Sequence, residues 1–249
     1  MSNFPIYALD FDGVICDSAV ETAITGWKSA TYVWPDMANT VPEEKHIAQF
    51  RELRPQLETG YEAIIFMRLI QQGESVTNIK ANISKFLNEL GKDSSLLKQL
   101  FGQTRDQWIQ HARDEWITMN PLFEGIGEKL QKLSGQTWYI VTTKQERFVE
   151  QILQANQVDL PVDIYGLDRK MGKQAVLQEL LELHGDKTIQ LIEDRLPTLA
   201  GVLGNDRLNA VELQLVDWGY NTEQDRTDAR TKGIKVIGLS EFLQAQPAS

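Results

Sequence analysis

The strongest constraint in this chain is a set of short, continuous apolar runs that each stop at charged or hydroxyl residues. Ile6-Tyr7-Ala8-Leu9 ends in Asp10-Phe11-Asp12-Gly13, and Trp138-Tyr139-Ile140-Val141 ends in Thr142-Thr143-Lys144. Ile189-Gln190-Leu191-Ile192 ends in Glu193-Asp194. Leu213-Gln214-Leu215-Val216 and Val236-Ile237-Gly238-Leu239 follow, and a weaker run, Val162-Asp163-Ile164-Tyr165-Gly166, lies between the second and third. Runs this short with little polar alternation predict strands covered on both faces, hence a parallel sheet. Helical periodicity fills the gaps. Phe148, Ile152 and Leu153 share one stripe, and Val176, Leu177, Leu180, Leu181 and His184 share another. The alternation predicts an α/β chain: a Rossmann-like parallel sheet with helices on both faces.

Between Asp17 and Met119 the pattern changes. Ile79, Ile83, Phe86, Leu87 and Leu90 recur at helical spacing. So do Tyr61, Ile64, Ile65 and Leu69, and then Leu96, Leu97, Leu100, Trp108, Ile109, Ala112 and Trp116 around Gly102. No strand pattern interrupts them. The expected organisation is a core of residues 1–16 and 120–249 with an all-helical cap of four or more helices, residues 17–119. The chain re-enters the core near Asn120-Pro121, and the tail from Gln244 to Ser249 is expected to fray.

Composition excludes several classes. With 25 Lys and Arg against 35 Asp and Glu, the chain carries a net charge of −10, which repels a nucleic-acid polyanion. An anionic substrate then needs a cation supplied locally. The one cysteine, Cys16, leaves no intramolecular disulfide and no multi-cysteine zinc site. His46, His111 and His184 are scattered, and Leu130 breaks a dinucleotide fingerprint that Gly125-Ile126-Gly127 would begin. No apolar run approaches a membrane span, and the opening residues lack a signal-peptide pattern, so a cytoplasmic protein, monomeric or homodimeric, is expected.

The chemistry collects at the strand ends. In open α/β sheets, ligands bind beyond the carboxyl ends of the strands. Those ends carry Asp10, Asp12, Thr142, Thr143, Lys144, Glu193 and Asp194, and Lys173 opens the helix after the weak strand. Several carboxylates close together cannot all stay ionised without a cation, and a hard ion with oxygen ligands, Mg²⁺, resolves the repulsion. An aspartate can also attack phosphorus. One member of Asp10-Phe11-Asp12 could attack while the other handles a proton, with the Thr142 hydroxyl and the Lys173 ammonium holding phosphoryl oxygens. Each residue also has a plainer reading. Asp10 and Asp12 suit a solvated strand end, Glu193-Asp194 a helix cap before Pro197, Thr142-Thr143 a cap for a helix opening at Lys144, and Lys144 itself the surface.

Taken in order, Asp10-Phe11-Asp12-Gly13-Val14, Val141-Thr142-Thr143-Lys144, Lys173 and Glu193-Asp194 resemble the four motifs of the haloacid dehalogenase-like hydrolase superfamily. Asp17-Ser18, Pro121-Leu122-Phe123-Glu124-Gly125 and Val216-Asp217-Trp218-Gly219-Tyr220 are similar to segments of its phosphoglycolate phosphatase and β-phosphoglucomutase branch, which carries a helical cap after the first strand. The resemblance implies a Mg²⁺-dependent phosphatase acting on a small phosphorylated metabolite. Asp10 would be nucleophile and, with Asp194, metal ligand. Asp12 would bind the ion through its carbonyl and serve as general acid, then base. Thr142, Thr143 and Lys173 would hold the phosphoryl group. Two departures stand out: Thr198 occupies a position that is often Asp, and Glu193 replaces a usual Gly and would supply an extra acidic group at the ion. Lys170 competes with Lys173, which is preferred because a helix follows it directly. In the insertion, Arg54, Tyr61 and Glu62 are candidates for a specificity loop. A phosphomutase using the same site and a non-catalytic binding protein on the same scaffold are the alternatives.

Overall fold

Residues 5–90, 94–185 and 187–245 are described by the computed structural model. Strand β1 (Ile6–Leu9) opens the chain. Five helices follow: α1 (Ala19–Val33), α2 (Glu44–Leu53), α3 (Glu62–Gln71), α4 (Val76–Leu90) and α5 (Ser94–Thr118). The alternating part then runs α6 (Ile126–Lys132), β2 (Trp138–Val141), α7 (Glu146–Ala155), β3 (Asp163–Tyr165), α8 (Lys173–His184) and β4 (Ile189–Glu193). It ends with α9 (Leu196–Leu203), β5 (Val211–Val216), α10 (Glu223–Thr231), β6 (Lys235–Ile237) and α11 (Leu239–Gln244). The chain forms two compact units, Met1–Asp17 with Leu122–Ser249, and Ser18–Pro121. Residues 246–249 of the expected tail lie outside the described residues. Among the described residues, no helix is long and apolar enough to cross a membrane.

In the first unit all six strands form one parallel sheet in the order β3-β2-β1-β4-β5-β6. Every side chain of β2 is buried, as is all of β1 except the half-buried Tyr7, which is why these strands show no polar alternation. One face carries Ile6, Ala8, Val141, Leu191 and Leu215, and it packs on Val176, Leu177 and Leu180 of α8 and Leu199 and Val202 of α9. Tyr7 points the other way and meets Phe242 of α11 edge-on at 6.0 Å. The buried ammonium of Lys129, on α6, caps the carbonyl of Ala245 there and lies over the Phe242 ring. The chain builds outward from β1 to β3 on one side and then restarts at β4 on the other. β1 and β4 therefore flank the point where strand order reverses, the place at which ligands bind in sheets of this kind.

The second unit has helices and no strand among its described residues and has its own core, built on Ala23, Trp27, Phe50, Leu53, Ile64, Ile65, Phe66 and Ile79. The α5 stripe runs through Gly102 unbroken. The backbone instead leaves helical geometry at Ala112 (φ −153°, ψ 60°), and in α4 it does so at Asn82. A charged pair is buried in this unit. Glu21 is fully buried and accepts hydrogen bonds from Arg105 Nε (2.8 Å) and Nη2 (2.6 Å), Thr25 Oγ1 (2.6 Å) and Trp116 Nε1 (3.0 Å). A forked guanidinium with two further donors is what a carboxylate needs to stay ionised out of water.

Candidate active site

β1 ends at Leu9, but its hydrogen bonding carries on for one more residue, since Asp10 N–H donates to the Ile192 carbonyl at 2.9 Å. The chain then turns sharply. Ile15 and Cys16 N–H both donate to the Phe11 carbonyl, and Gly13 N–H donates to that of Cys16, all at 2.9 Å. The turn needs a glycine. Gly13 has φ +88°, and a Cβ there would lie 2.1 Å from Asp194 Oδ2 and 2.8 Å from the Tyr220 ring. Phe11 is fully buried between the two aspartates. The strand does not continue through Asp10 and Asp12. Each instead meets its own lysine.

Lys173 Nζ lies 2.9 Å from Asp10 Oδ1 and 2.5 Å from Glu193 Oε2. It is the first residue of α8, whereas Lys170 stands exposed in the preceding turn with a left-handed backbone (φ 55°). Lys144 Nζ lies 2.8 Å from Asp12 Oδ1, and its side chain is completely buried, so the surface reading of this lysine is corrected. The helix after β2 begins at Glu146, two residues later than a helix opening at Lys144 would. Glu146 instead accepts the N–H groups of Gly166, Asp168 and Arg169, which ties this helix to the turn after β3. That leaves Thr142 to extend the sheet through its N–H to the Tyr165 carbonyl (2.9 Å), while its hydroxyl accepts Lys144 N–H at 3.1 Å. A hydroxyl oxygen engaged as acceptor keeps its proton to donate elsewhere. Thr143 next to it is exposed.

At the end of β4 the carboxylates converge. Asp10, Glu193 and Asp194 are all buried, and each offers an oxygen within 4.8 Å of the others. Glu193 Oε1 also accepts Arg195 N–H at 3.2 Å. Asp194 is clamped by the segment that follows β5. Tyr220 N–H donates to Asp194 Oδ2 (2.8 Å) and Asn221 Nδ2 to its carbonyl (2.9 Å), while the Tyr220 hydroxyl reaches Asp17 (2.8 Å). Gly219 lets this segment approach, because a Cβ there would sit 2.4 Å from that of Asp194. Tyr220 and Asn221 were missed because backbone and amide donors leave no charge pattern to read.

The electrostatics follow from burial. Loss of water pushes Asp10 up to about 6, the Glu193 charge adds to this, and Lys173 offsets part of it. Glu193 is raised by burial and by Asp194, against the pull of Lys173. Burial alone would lower Lys173, yet Asp10 and Glu193 together outweigh it and the net shift is upward. Three buried carboxylates, two of them paired to the one Lys173 ammonium, leave an excess of negative charge, and the donor set is all oxygen. Such a set suits a hard divalent cation such as Mg²⁺.

The insertion candidates belong to the helical unit. Arg54 is buried in the turn Arg54–Gln56, and the Tyr61 ring lies 5.2 Å from the Lys98 ammonium. Glu62 Oε2 accepts the N–H groups of Glu58 (2.7 Å) and Thr59 (3.2 Å), so it secures the loop that leads into its own helix. Thr198 lies within α9.

No protein-family profile and no curated protein sequence matches the chain. Solved structures do. A predicted phosphatase from Clostridium acetobutylicum superposes with a TM-score of 0.61 at 19% identity, over 97% of both chains. A predicted phosphoglycolate phosphatase from Haemophilus somnus gives 0.59 at 15% identity over 98% of both. A haloacid dehalogenase-like family hydrolase from Streptococcus pneumoniae gives 0.55 at 18% identity, over 96% of this chain and 95% of that one. With nearly full coverage and a six-stranded parallel sheet interrupted after its first strand, this chain has the fold of the haloacid dehalogenase-like hydrolases.

Proposed function

We propose that the protein is a Mg²⁺-dependent phosphatase that hydrolyses a small phosphorylated metabolite through an aspartyl-phosphate. The observation that carries this reading is the buried cluster of Asp10, Glu193 and Asp194 with Lys173 against it, at the switch point of the sheet. Asp10 and Asp194 would hold the ion, with the Asp12 carbonyl and Glu193 as further oxygens. When bound, Mg²⁺ supplies positive charge for the phosphoryl oxygens.

The chain's own groups carry the rest. An Asp10 carboxylate oxygen attacks phosphorus in line, the bond to the leaving oxygen breaks, and Asp12 gives that oxygen a proton. Asp12 then takes a proton from water, whose oxygen attacks the same phosphorus. The bond to Asp10 breaks, and inorganic phosphate leaves. Thr142, through its hydroxyl proton, and Lys173 balance the charge that moves onto the phosphoryl oxygens. Thr143, exposed beside Thr142, offers a further donor at the rim. In this reading the helical unit is the cap, and Arg54, Tyr61 and Glu62 are its candidates for substrate selection.

The test is phosphate release from a panel of phosphorylated metabolites with Mg²⁺, with Asp10→Asn as the blank. Turnover of at least one panel member is expected, lost in the blank and lost on chelation with EDTA. Release that survives in Asp10→Asn, or no release from any member, would sink the proposal.

A further inference from the structure

We infer that Lys144 is a positioning residue for Asp12, which locks the proton-transfer carboxyl of β1 to the end of β2. The inference rests on the reading of Asp12 given above. Four observations carry it. The Lys144 side chain has 0% exposure, while that of Asp12 has 18%. Their ion pair, at 2.8 Å, therefore has one partner sealed inside the unit and one that borders the site. Lys144 N–H also donates to the Thr142 hydroxyl, so a single residue orients a side chain from each of two strand ends. Finally, the Phe11 ring, fully buried and 5.8 Å from the ammonium, holds the backbone between the two aspartates.

The two lysines thus divide the work. Lys173 sits on the proposed nucleophile and on Glu193, and Lys144 sits on the proposed acid. Burying an ammonium is costly unless an anion faces it. At Lys144 that cost goes into fixing the direction of one carboxyl group. An ammonium with no exposure cannot be a contact for the substrate, so its effect on turnover must pass through Asp12.

Leaving-group dependence separates this role from phosphate binding. A p-nitrophenolate leaves without needing a proton, whereas a simple alkoxide needs one. The value of kcat/KM covers the steps up to loss of the leaving group. The experiment uses the full chain with Mg²⁺ and compares p-nitrophenyl phosphate with the phosphate ester of a simple primary alcohol.

Lys144→Met is expected to lower kcat/KM on the alkyl ester by roughly 10- to 100-fold, a part of the roughly 100- to 10,000-fold that general acid catalysis supplies, since Asp12 itself remains. On the nitrophenyl ester the loss should be less than about threefold. In an Asp12→Asn background, adding Lys144→Met should change the alkyl rate by less than about threefold, since residues that act as one unit are not additive. Equal losses on both esters, full additivity with Asp12→Asn, or no loss would overturn the inference. If the wild-type chain turns over no member of the metabolite panel, the phosphatase reading has failed and this one falls with it, which is visible before any variant is made; where it turns over a panel member but not the simple alkyl ester, that panel member takes the alkyl ester's place. If Lys144→Met does not fold by circular dichroism, Lys144→Gln carries the same comparison. Failure of both to fold would replace the positioning role with a structural one.

Discussion

Gly13→Ala tests the site's geometry with one methyl group. The added Cβ would lie 2.1 Å from Asp194 Oδ2 and 2.6 Å from its Cγ, whereas ordinary contact begins at 3.4 Å. The carboxylate would have to retreat by more than about 1 Å, and if Asp194 holds the ion as proposed, a displacement of that size can cost about 100-fold in rate. Asp194 cannot retreat easily, because Tyr220 N–H holds the same oxygen at 2.8 Å and Asn221 holds its carbonyl. The backbone adds its own cost. An L-residue at the Gly13 φ of +88° is disfavoured by roughly 1–2 kcal/mol. For a chain of this size that corresponds to a melting temperature lower by about 2–8 °C. The assay is paired: thermal melting by circular dichroism, and phosphate release titrated with Mg²⁺ on the best panel substrate. The expected variant is folded, slightly less stable, at least about 100-fold slower, and needs more Mg²⁺. Wild-type rate and Mg²⁺ dependence in a folded Gly13→Ala protein would refute the reasoning, because Asp194 would then not need its observed place.

Two further predictions do not depend on the proposed activity. Arg105→Met leaves the buried Glu21 carboxylate without its forked partner, and should cost about 3–5 kcal/mol in urea unfolding, eased when Glu21→Leu is added; a loss below about 1 kcal/mol would show the pair to be idle. His184 is held below its usual pKa, by burial first and the Lys187 charge second, and its Nε2 lies 2.8 Å from the Tyr139 hydroxyl. The folded state thus resists protonation there. The stability gained is present above the unfolded value near 6.5 and is lost as pH falls through the lowered folded one. The gap in unfolding free energy between wild type and His184→Phe should therefore narrow from pH 8 to pH 5, and a constant gap would exclude the linkage.

Much of this protein is legible along the chain. The run Ile6–Leu9 and the later runs place strands closely, because a strand buried on both faces must be apolar at nearly every position. The ends of elements are less legible. β6 stops at Ile237, and Leu239 opens a helix, since a short apolar run fits either state. The break in α5 falls at Ala112, while Gly102 stays helical. His184 stands on an apolar helical stripe, and its hydrogen-bond partner Tyr139 lies 45 residues away along the chain.

By itself, the sequence determined the α/β class, the helical insertion and the acidic, hydroxyl and basic residues that the strand ends carry. Those are local matters of periodicity and of what a buried strand can tolerate. Only the tertiary structure decided which cation meets which carboxylate. Lys173, already favoured over Lys170 by the helix that follows it, pairs with both Asp10 and Glu193, while the preceding turn sends residue 170 to solvent. Lys144, marked along the chain only as a strand-end residue that suits the surface equally well, is sealed against Asp12, 132 residues away. Ion pairs in a buried site are set by distance and by exclusion of water, and both come from the order in which the strands assemble.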